Sequence, residues 1–211
     1  MARSGTYFFG LMMVSATLAL VGCGGSGDND TTGTAGGDEA QIASTISTSV
    51  TSTDPADCNK LETQRFLEQI HFTTGASAVK ACQQDAPDTS DDPDSVDVTD
   101  IQVDGSGATA NVAFHGGGFD GSTLTMALVK EGDQWKLDQI TAVPTFDLAA
   151  FDAAFTQRLS KQQGVSAAGT ACVTRALNSA GSDVVKQTLI SGDASQLLGL
   201  ISPCLSGAAS G

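Results

Sequence analysis

The chain has 211 residues, of which 24 are acidic and 10 are basic, so its formal net charge at neutral pH is −14. This charge excludes proteins that hold nucleic acid or anionic lipid head groups through a basic surface, because both ligands would be repelled. A chain of this length buries a hydrophobic core without needing a metal ion. We therefore expect no nucleic-acid partner and a fold that rests on its own core.

The first 22 residues have the features of a secretory signal peptide. A positive amino terminus precedes an apolar stretch over residues 7–21, and Gly22 supplies a small residue at the cleavage point. The stretch is too short, and too often interrupted by Gly, Ser and Thr, for a membrane-spanning helix. Its last residues and Cys23 read Leu-Val-Gly-Cys, which resembles the lipobox of bacterial lipoproteins. The resemblance implies cleavage between Gly22 and Cys23 and lipidation of Cys23.

Residues 23–38 continue from the lipidated cysteine as a tether rich in Gly, Thr and Asp. Because it has almost no apolar side chains to bury, this segment is predicted to be flexible. Removal of the signal leaves 9 basic residues against 24 acidic ones, a formal charge of −15, so the acyl chains on Cys23 must supply the membrane affinity. The resemblance thus implies an extracytoplasmic protein that is lipid-anchored to the bacterial cell membrane.

Four cysteines remain once Cys23 is modified, and an even number in an oxidising compartment predicts two disulfide bonds. Short separation along the chain favours Cys58–Cys82 and Cys172–Cys204, since each pair closes a loop of moderate length within one helical region. The other two pairings stay open. A four-cysteine zinc site is disfavoured, because the sequence lacks the C-x-x-C spacing typical of such sites.

Residues 39–144 are predicted to form an α+β domain whose helices come first. Apolar residues recur every four positions from Ile42 to Val50, which predicts a first helix. The Asp-Pro pair at 54–55 predicts the start of a second helical region, with a break near Thr63. A third, short helix is predicted after Gly75.

A four-stranded antiparallel meander follows in the same domain. The alternation of apolar residues changes phase between Val98 and Ile101, and this skipped position predicts a β-bulge that curves the sheet around the helices. Asp-Gly at 104–105 and Glu-Gly-Asp at 131–133 predict hairpin turns. The fourth strand is predicted to end near Ile140.

Residues 145–205 are predicted to form a small C-terminal helical subdomain. Pro144 is expected to end the sheet region, and Asp147 is expected to cap the first helix of the subdomain. Apolar stripes at helical spacing predict three further helices. Residues 206–211 are predicted to be a disordered tail.

Helices that carry a cysteine pair, followed by a meander that ends in Gly-Asp-Gln-Trp-Lys-Leu-Asp, resemble the NTF2-like superfamily as it occurs in secreted bacterial lipoproteins. The resemblance covers residues 40–142 and implies a cone in which a curved sheet wraps around helices and encloses a central cavity. Phe114, Met126 and Trp135 are candidates for lining that cavity, since ligand pockets are mostly apolar. A plain hydrophobic core is the alternative for these three residues. The family includes dehydratases, isomerases and non-catalytic binding modules, so the fold alone does not decide function.

His115 and the three glycines after it resemble the oxyanion-hole loop of esterases. Such a loop works only with an activated serine, and the chain contains no G-x-S-x-G motif. Ser106 and Ser122 lie beside glycines in predicted turns. We therefore predict an ordinary loop between two strands at residues 115–118.

His71 and His115 are the two histidines of the chain, and each would need a nearby carboxylate to act as an acid or a base. His115 is predicted on the face of its strand opposite Val112 and Phe114, whereas His71 is predicted at the end of a helix. We therefore predict no catalytic residue at either position.

Eight aspartates between Asp85 and Asp104 suggest calcium, a cation that prefers carboxylate oxygens. Their spacing does not match the D-x-[DN]-x-[DN]-G loop that calcium requires, and no glutamate follows at the right distance. Capping, turn formation and solubility explain these residues. No metal site and no cofactor are predicted.

The sequence favours a non-enzymatic function. We predict a monomeric envelope lipoprotein that binds a small apolar ligand or a partner protein of the envelope. One alternative is an NTF2-like isomerase, dehydratase or hydrolase that uses His115 or His71 with a carboxylate. The other is a structural surface lipoprotein whose acidic character is what matters.

Overall fold

The computed structural model describes residues 35–162 and 165–206, and within these ranges it holds eight α-helices and one four-stranded sheet. The elements are α1 (Ala35–Thr51), α2 (Asp57–Lys60), α3 (Gln64–His71), α4 (Ala76–Asp85), β1 (Ser95–Asp104), β2 (Gly107–His115), β3 (Thr123–Glu131), β4 (Gln134–Thr145), α5 (Leu148–Lys161), α6 (Ala167–Ala180), α7 (Ser182–Ser191) and α8 (Ser195–Ser206). The predicted α+β class, with a four-stranded antiparallel sheet and several helices, is confirmed. The predicted signal peptide and Cys23 lie outside the described residues.

The sheet is an antiparallel meander in the order β1-β2-β3-β4. Along β2 and β3 every second residue is buried, which is the pattern of a sheet with one face on a core. The predicted bulge is confirmed: Thr99 pairs with Asn111, but the next pair joins Gln102 to Thr109. Asp100 takes a left-handed backbone at this point, with φ of 51°, and its carboxylate accepts a hydrogen bond from the Asn111 side chain.

The fourth strand continues past its predicted end near Ile140 and runs to Thr145, through Pro144. The sheet order explains the difference, because β4 is an edge strand. Proline has no N–H to donate, and an edge strand tolerates it because one side of that strand needs no partner.

The first helix begins at Ala35, four residues inside the segment predicted as tether. Asp38 Oδ1 accepts hydrogen bonds from Lys130 Nζ at 2.7 Å and from Trp135 Nε1 at 3.1 Å, which joins the start of α1 to the β3–β4 hairpin. These contacts between distant parts of the chain outweigh the poor helix propensity of the two glycines before Asp38. Ile42 is then fully buried against the core.

The helical region after α1 breaks at Thr63, as predicted, and Thr63 caps α3 by accepting a hydrogen bond from the Phe66 N–H. The break is also where the helices join the sheet. Leu137 donates its N–H to Leu61 O and accepts a hydrogen bond from the Thr63 N–H, both at 2.8 Å. Cys58 and Cys82 lie at disulfide distance, with 6.1 Å between their Cα atoms, and link α2 to α4.

The four C-terminal helices share the core of the sheet. Asp147 caps α5 through the Ala149 and Ala150 amides, as predicted. Buried residues of all four helices belong to the same hydrophobic cluster as the sheet residues, namely Leu159, Val173, Leu177, Val185, Leu189, Leu197 and Ile201. The predicted boundary after residue 144 therefore does not separate two cores. Cys172 and Cys204 are also at disulfide distance, as predicted, and link α6 to α8.

Candidate functional site

The main candidate site is a cleft of about 300 Å³ where α3 and α7 both end beside β4. Residues from α3 and the loop after it, over 65–74, form one wall. Residues 190–192, at the end of α7, form a second part of the lining, and Gln139 contributes from β4. The cleft thus draws on three segments that are distant in sequence.

Gln69 forms the floor of this cleft and is almost completely buried. The two hydrogens on its Nε2 are shared among the carbonyl oxygens of Ile140, Leu189 and Ile190, at 2.8–2.9 Å, and its Oε1 accepts from the Ile140 N–H at 2.8 Å. One amide side chain therefore ties α3 to both β4 and α7. Gly192 allows this approach, because a Cβ at that position would lie 3.1 Å from Gln69 Cα.

Two charged side chains of α3 line the cleft. Arg65 is paired with Asp138, at 3.2 Å between Nη1 and Oδ2, and also contacts the Gln139 side chain. Glu68 Oε1 accepts hydrogen bonds from the Gly75 N–H at 2.8 Å and from Gln64 Nε2 at 3.0 Å. These two hydrogen bonds hold the pKa of the Glu68 carboxyl below its usual range, so Glu68 is ionised at neutral pH.

Phe72 follows the last residue of α3 and also lines the cleft. Its backbone is left-handed, with φ of 51° and ψ of 36°, and the residue is 41 % exposed. Glycine or asparagine usually occupies this position after a helix, because a side chain makes the left-handed region unfavourable. Here the left-handed backbone instead carries an aromatic ring at the surface of a cleft.

Sequence reasoning missed this cleft, and only one weak signal pointed to it. Phe72 is an apolar residue outside the inward stripe of α3, immediately before the Thr-Thr-Gly turn at 73–75. The stripe itself, which includes Phe66 and Leu67, is buried.

The three residues predicted as candidates for a cavity wall lie in the hydrophobic core instead. Phe114 is 5 % exposed, Met126 is 2 % exposed and Trp135 is 1 % exposed, and all three belong to the main core cluster. None of them lines the cleft. All three residues share this cluster with buried residues of α1 and of the C-terminal helices, which is the packing of a hydrophobic core.

The two histidines lie apart from the cleft and from each other. His115 Nε2 is 2.8 Å from Asp97 Oδ2, and both side chains are solvated, at 53 % and 71 % exposed. His71 Nδ1 is 3.6 Å from an oxygen of Asp85, which also pairs with Arg158. Burial lowers the pKa of His71, and the charge of Asp85 opposes this effect. Each histidine has a carboxylate neighbour, but neither pair lines the cleft described above.

The glycines after His115 serve the packing of their loop. Gly116 and Gly117 have φ of 79° and 66°, and a Cβ on Gly117 would lie 2.6 Å from the Asp92 carbonyl oxygen. The Gly116 N–H is already bound to Asp120 Oδ1 at 2.8 Å. Ser122 is buried, and its hydroxyl accepts a hydrogen bond from the Asp147 N–H.

The aspartates between β1 and the end of α4 act as turn and ion-pair residues. Asp88 caps a short 3-10 turn (Thr89–Asp91), and Asp91 pairs with Arg158 at 3.3 Å. In residues 35–162 and 165–206, no three His, Cys, Asp or Glu side chains are grouped so that they could hold a metal ion. In the same part of the chain, none of the helices has the length and apolar character needed to span a bilayer.

A second, much smaller cavity of about 30 Å³ lies against the Cys58–Cys82 bond. Glu62 lines it and is only 8 % exposed. Ser49 Oγ donates a hydrogen bond of 2.6 Å to Glu62 Oε1, and Glu62 Oε2 lies 3.6 Å from Cys82 Sγ. Burial raises the pKa of Glu62 to about 7, against the effect of the Ser49 hydrogen bond. Burial of Glu62 was not predicted from the sequence, because glutamate is ordinarily exposed.

The fold and both cavities define an acidic α+β protein with a mixed polar and apolar cleft at one end of its sheet. Comparison with known proteins finds no matching family model, no matching curated protein and no matching solved structure.

Proposed function

We propose that this chain is an extracytoplasmic binding protein, anchored to the bacterial cell membrane through lipid on Cys23, that holds a small ligand in the cleft between α3, α7 and β4. The lipobox resemblance and the two cysteine pairs support the extracytoplasmic location, since disulfides persist in oxidising compartments. The order of helices followed by an antiparallel meander supports an NTF2-like assignment, which is part of the same proposal.

The observation that carries the ligand site is Phe72. A phenylalanine in a left-handed backbone is unfavourable by about 1 kcal/mol, and exposure of its ring forgoes a further gain from burial. Unfavourable backbone conformations of this kind persist at binding sites because the surrounding structure imposes them. Gln69 provides that constraint here, since its buried hydrogen bonds fix the end of α3.

The lining of the cleft indicates a ligand that is small and amphiphilic. Thr73 and Thr74 bring hydroxyl groups, Arg65 and Glu68 bring charge, and Ile190 joins Phe72 in offering apolar surface. The ligand is therefore not the purely apolar molecule that a central cavity would hold. The histidine and carboxylate pairs lie outside this lining, which favours binding over catalysis.

Native mass spectrometry of the exported chain tests the proposal. We expect the wild-type protein to carry a discrete small-molecule adduct, or to bind one from a metabolite mixture with a rise in melting temperature. Thr74→Trp fills the cleft from an exposed position and is expected to abolish the adduct and the rise. Thr53→Trp, an exposed position between α1 and α2, is the matched control and should retain both.

Two results would contradict this function. An adduct that survives Thr74→Trp would place the ligand elsewhere. A bare monomer whose melting temperature is unchanged by the mixture would favour the structural role of an acidic surface protein.

A further inference from the structure

We propose that the ligand of this cleft is an organic ammonium ion with a short apolar tail, an inference that rests on the proposed function and names its ligand class. The ammonium group would lie against Glu68 and the ends of α3 and α7. The tail would lie against Ile190, and the ring of Phe72 would contact both the ammonium group and the tail.

The ends of two helices give the cleft a negative potential. Residues at the C-terminal ends of both α3 and α7 line it. Backbone dipoles leave partial negative charge at a helix C-terminus, where cations are stabilised and anions are not. The first contribution to the field in the cleft therefore favours a cation.

Glu68 adds a full negative charge at the same place. The Gly75 N–H and Gln64 Nε2 both bind Oε1, which fixes the carboxylate in position. Within the described residues, Oε2 of Glu68 accepts no hydrogen bond, so it is free to accept one from an ammonium group. Its lowered pKa keeps the carboxylate charged throughout the neutral range.

Arg65 is the cation of the lining, and its charge is compensated locally. Asp138 lies 3.2 Å from its guanidinium, and Gln139 contacts the other terminal nitrogen. A carboxylate ligand would have to compete with Asp138 for Arg65 while it faced Glu68 and both helix ends. The arrangement therefore disfavours an anionic ligand.

Phe72 completes the match. The face of an aromatic ring attracts a nearby cation, and the ring and Ile190 provide the apolar surface for a tail. The formal charge of the whole chain, −14, also raises the local concentration of small cations. Ring, carboxylate and helix ends thus favour the same sign of charge.

Three probes that share a phenylethyl group and differ only in their terminal polar group test this inference. They are 2-phenylethylamine, its neutral counterpart 2-phenylethanol, and the anion 3-phenylpropanoate, each titrated into the full chain by calorimetry. We expect the amine to bind about tenfold more tightly than the alcohol, and the anion to bind more weakly than both. Raising the salt concentration should weaken binding of the amine and leave the affinity for the alcohol unchanged.

Variants assign the effect to the cleft. Glu68→Gln keeps an oxygen that can accept the hydrogen bonds of Oε1 and removes the charge. It should therefore weaken binding of the amine by about tenfold and leave the affinity for the alcohol unchanged. Glu39→Gln makes the same change of charge at an exposed position of α1 and should alter neither. Phe72→Leu should weaken binding of the amine more than binding of the alcohol, because leucine keeps apolar surface but has no ring face.

Equal affinity for amine and alcohol, stronger binding of the anion, or no binding of any probe would each overturn the ammonium assignment. The binding function would still stand if an adduct disappeared with Thr74→Trp, so the two proposals fail separately.

Discussion

Glu62 Oε2 lies 3.6 Å from Cys82 Sγ, so a buried carboxyl group faces a sulfur that has no proton to donate. Ser49 is the donor that reaches the other carboxylate oxygen. Asp57, near the same small cavity, adds repulsion to any negative charge on Glu62. Burial without adequate partners makes the neutral acid the favoured form, which is why the pKa of Glu62 rises to about 7.

Glu62 should make the stability of the protein depend on pH. Its pKa is 4.5 in the reference state and about 7 when folded, so between these values the folded chain binds more protons than the unfolded chain. The free energy of unfolding contributed by Glu62 therefore falls as pH rises through this window and levels off above it. Glu62→Gln cannot ionise, and at about pH 8 it should be more stable than wild type by roughly 3 kcal/mol.

Urea unfolding of wild type and Glu62→Gln across the pH range checks this prediction, because the difference between the two curves cancels the titration of all other groups. The two proteins should be of similar stability near about pH 4 and diverge toward neutral pH. Glu39→Gln, at an exposed position, should follow the wild-type curve. Parallel curves for wild type and Glu62→Gln would show that Glu62 ionises normally.

Much of the fold was predictable because its signals are local. The bulge was evident from a change of phase between Val98 and Ile101, and the cap of α5 was evident from Asp147 alone. Cysteine pairing followed from the short separations of 24 and 32 residues along the chain, and the structure brings both pairs to disulfide distance. Features of this kind depend on a few neighbouring residues and on a fixed backbone period.

The features that sequence reasoning missed depend on contacts between distant segments. The start of α1 is fixed by Asp38 meeting Lys130 and Trp135, more than 90 residues away. The cleft exists because Gln69 joins α3 to an α7 that lies 120 residues further along the chain. Neither relationship leaves a periodic pattern in the sequence, so composition and spacing could not reveal them.

Gly117 should tolerate alanine much less well than Gly132. Both glycines have positive φ, of 66° and 63°, so both substitutions incur the cost of a left-handed backbone, about 1–2 kcal/mol. Only at Gly117 does the added Cβ also meet backbone, since it would lie 2.6 Å from the Asp92 carbonyl oxygen, whereas Gly132 has open space. We expect Gly117→Ala to lose at least about 2 kcal/mol more than Gly132→Ala in urea unfolding. Equal losses would mean that the loop moves away from Asp92 at little cost.

The two cysteine pairs should each contribute to stability by closing a loop in the unfolded chain. Separations of 24 and 32 residues correspond to roughly 3–4 kcal/mol for each bond on the chain-entropy model. Replacing Cys172 and Cys204 together by serine should lower the free energy of unfolding by this amount. The denaturing mass of the wild-type chain should be lower than that of the reduced chain by four hydrogens. A wild-type chain with free thiols, or a double variant of unchanged stability, would contradict the pairing.

Lipidation of Cys23 is the prediction on which the proposed membrane location depends. A protein of formal charge −14 is repelled by anionic lipids, so its membrane association must come from acyl chains rather than from a basic surface. When the full chain is produced in a bacterium, we expect palmitate labelling, partition into the detergent phase, and retention on membranes washed with high salt, because salt releases only electrostatic attachment. Cys23→Ser should abolish the labelling and move the protein to the aqueous phase, whereas Ser26→Ala should change neither. A Cys23→Ser protein that stays in the detergent phase would show that something other than this cysteine holds the chain at the membrane.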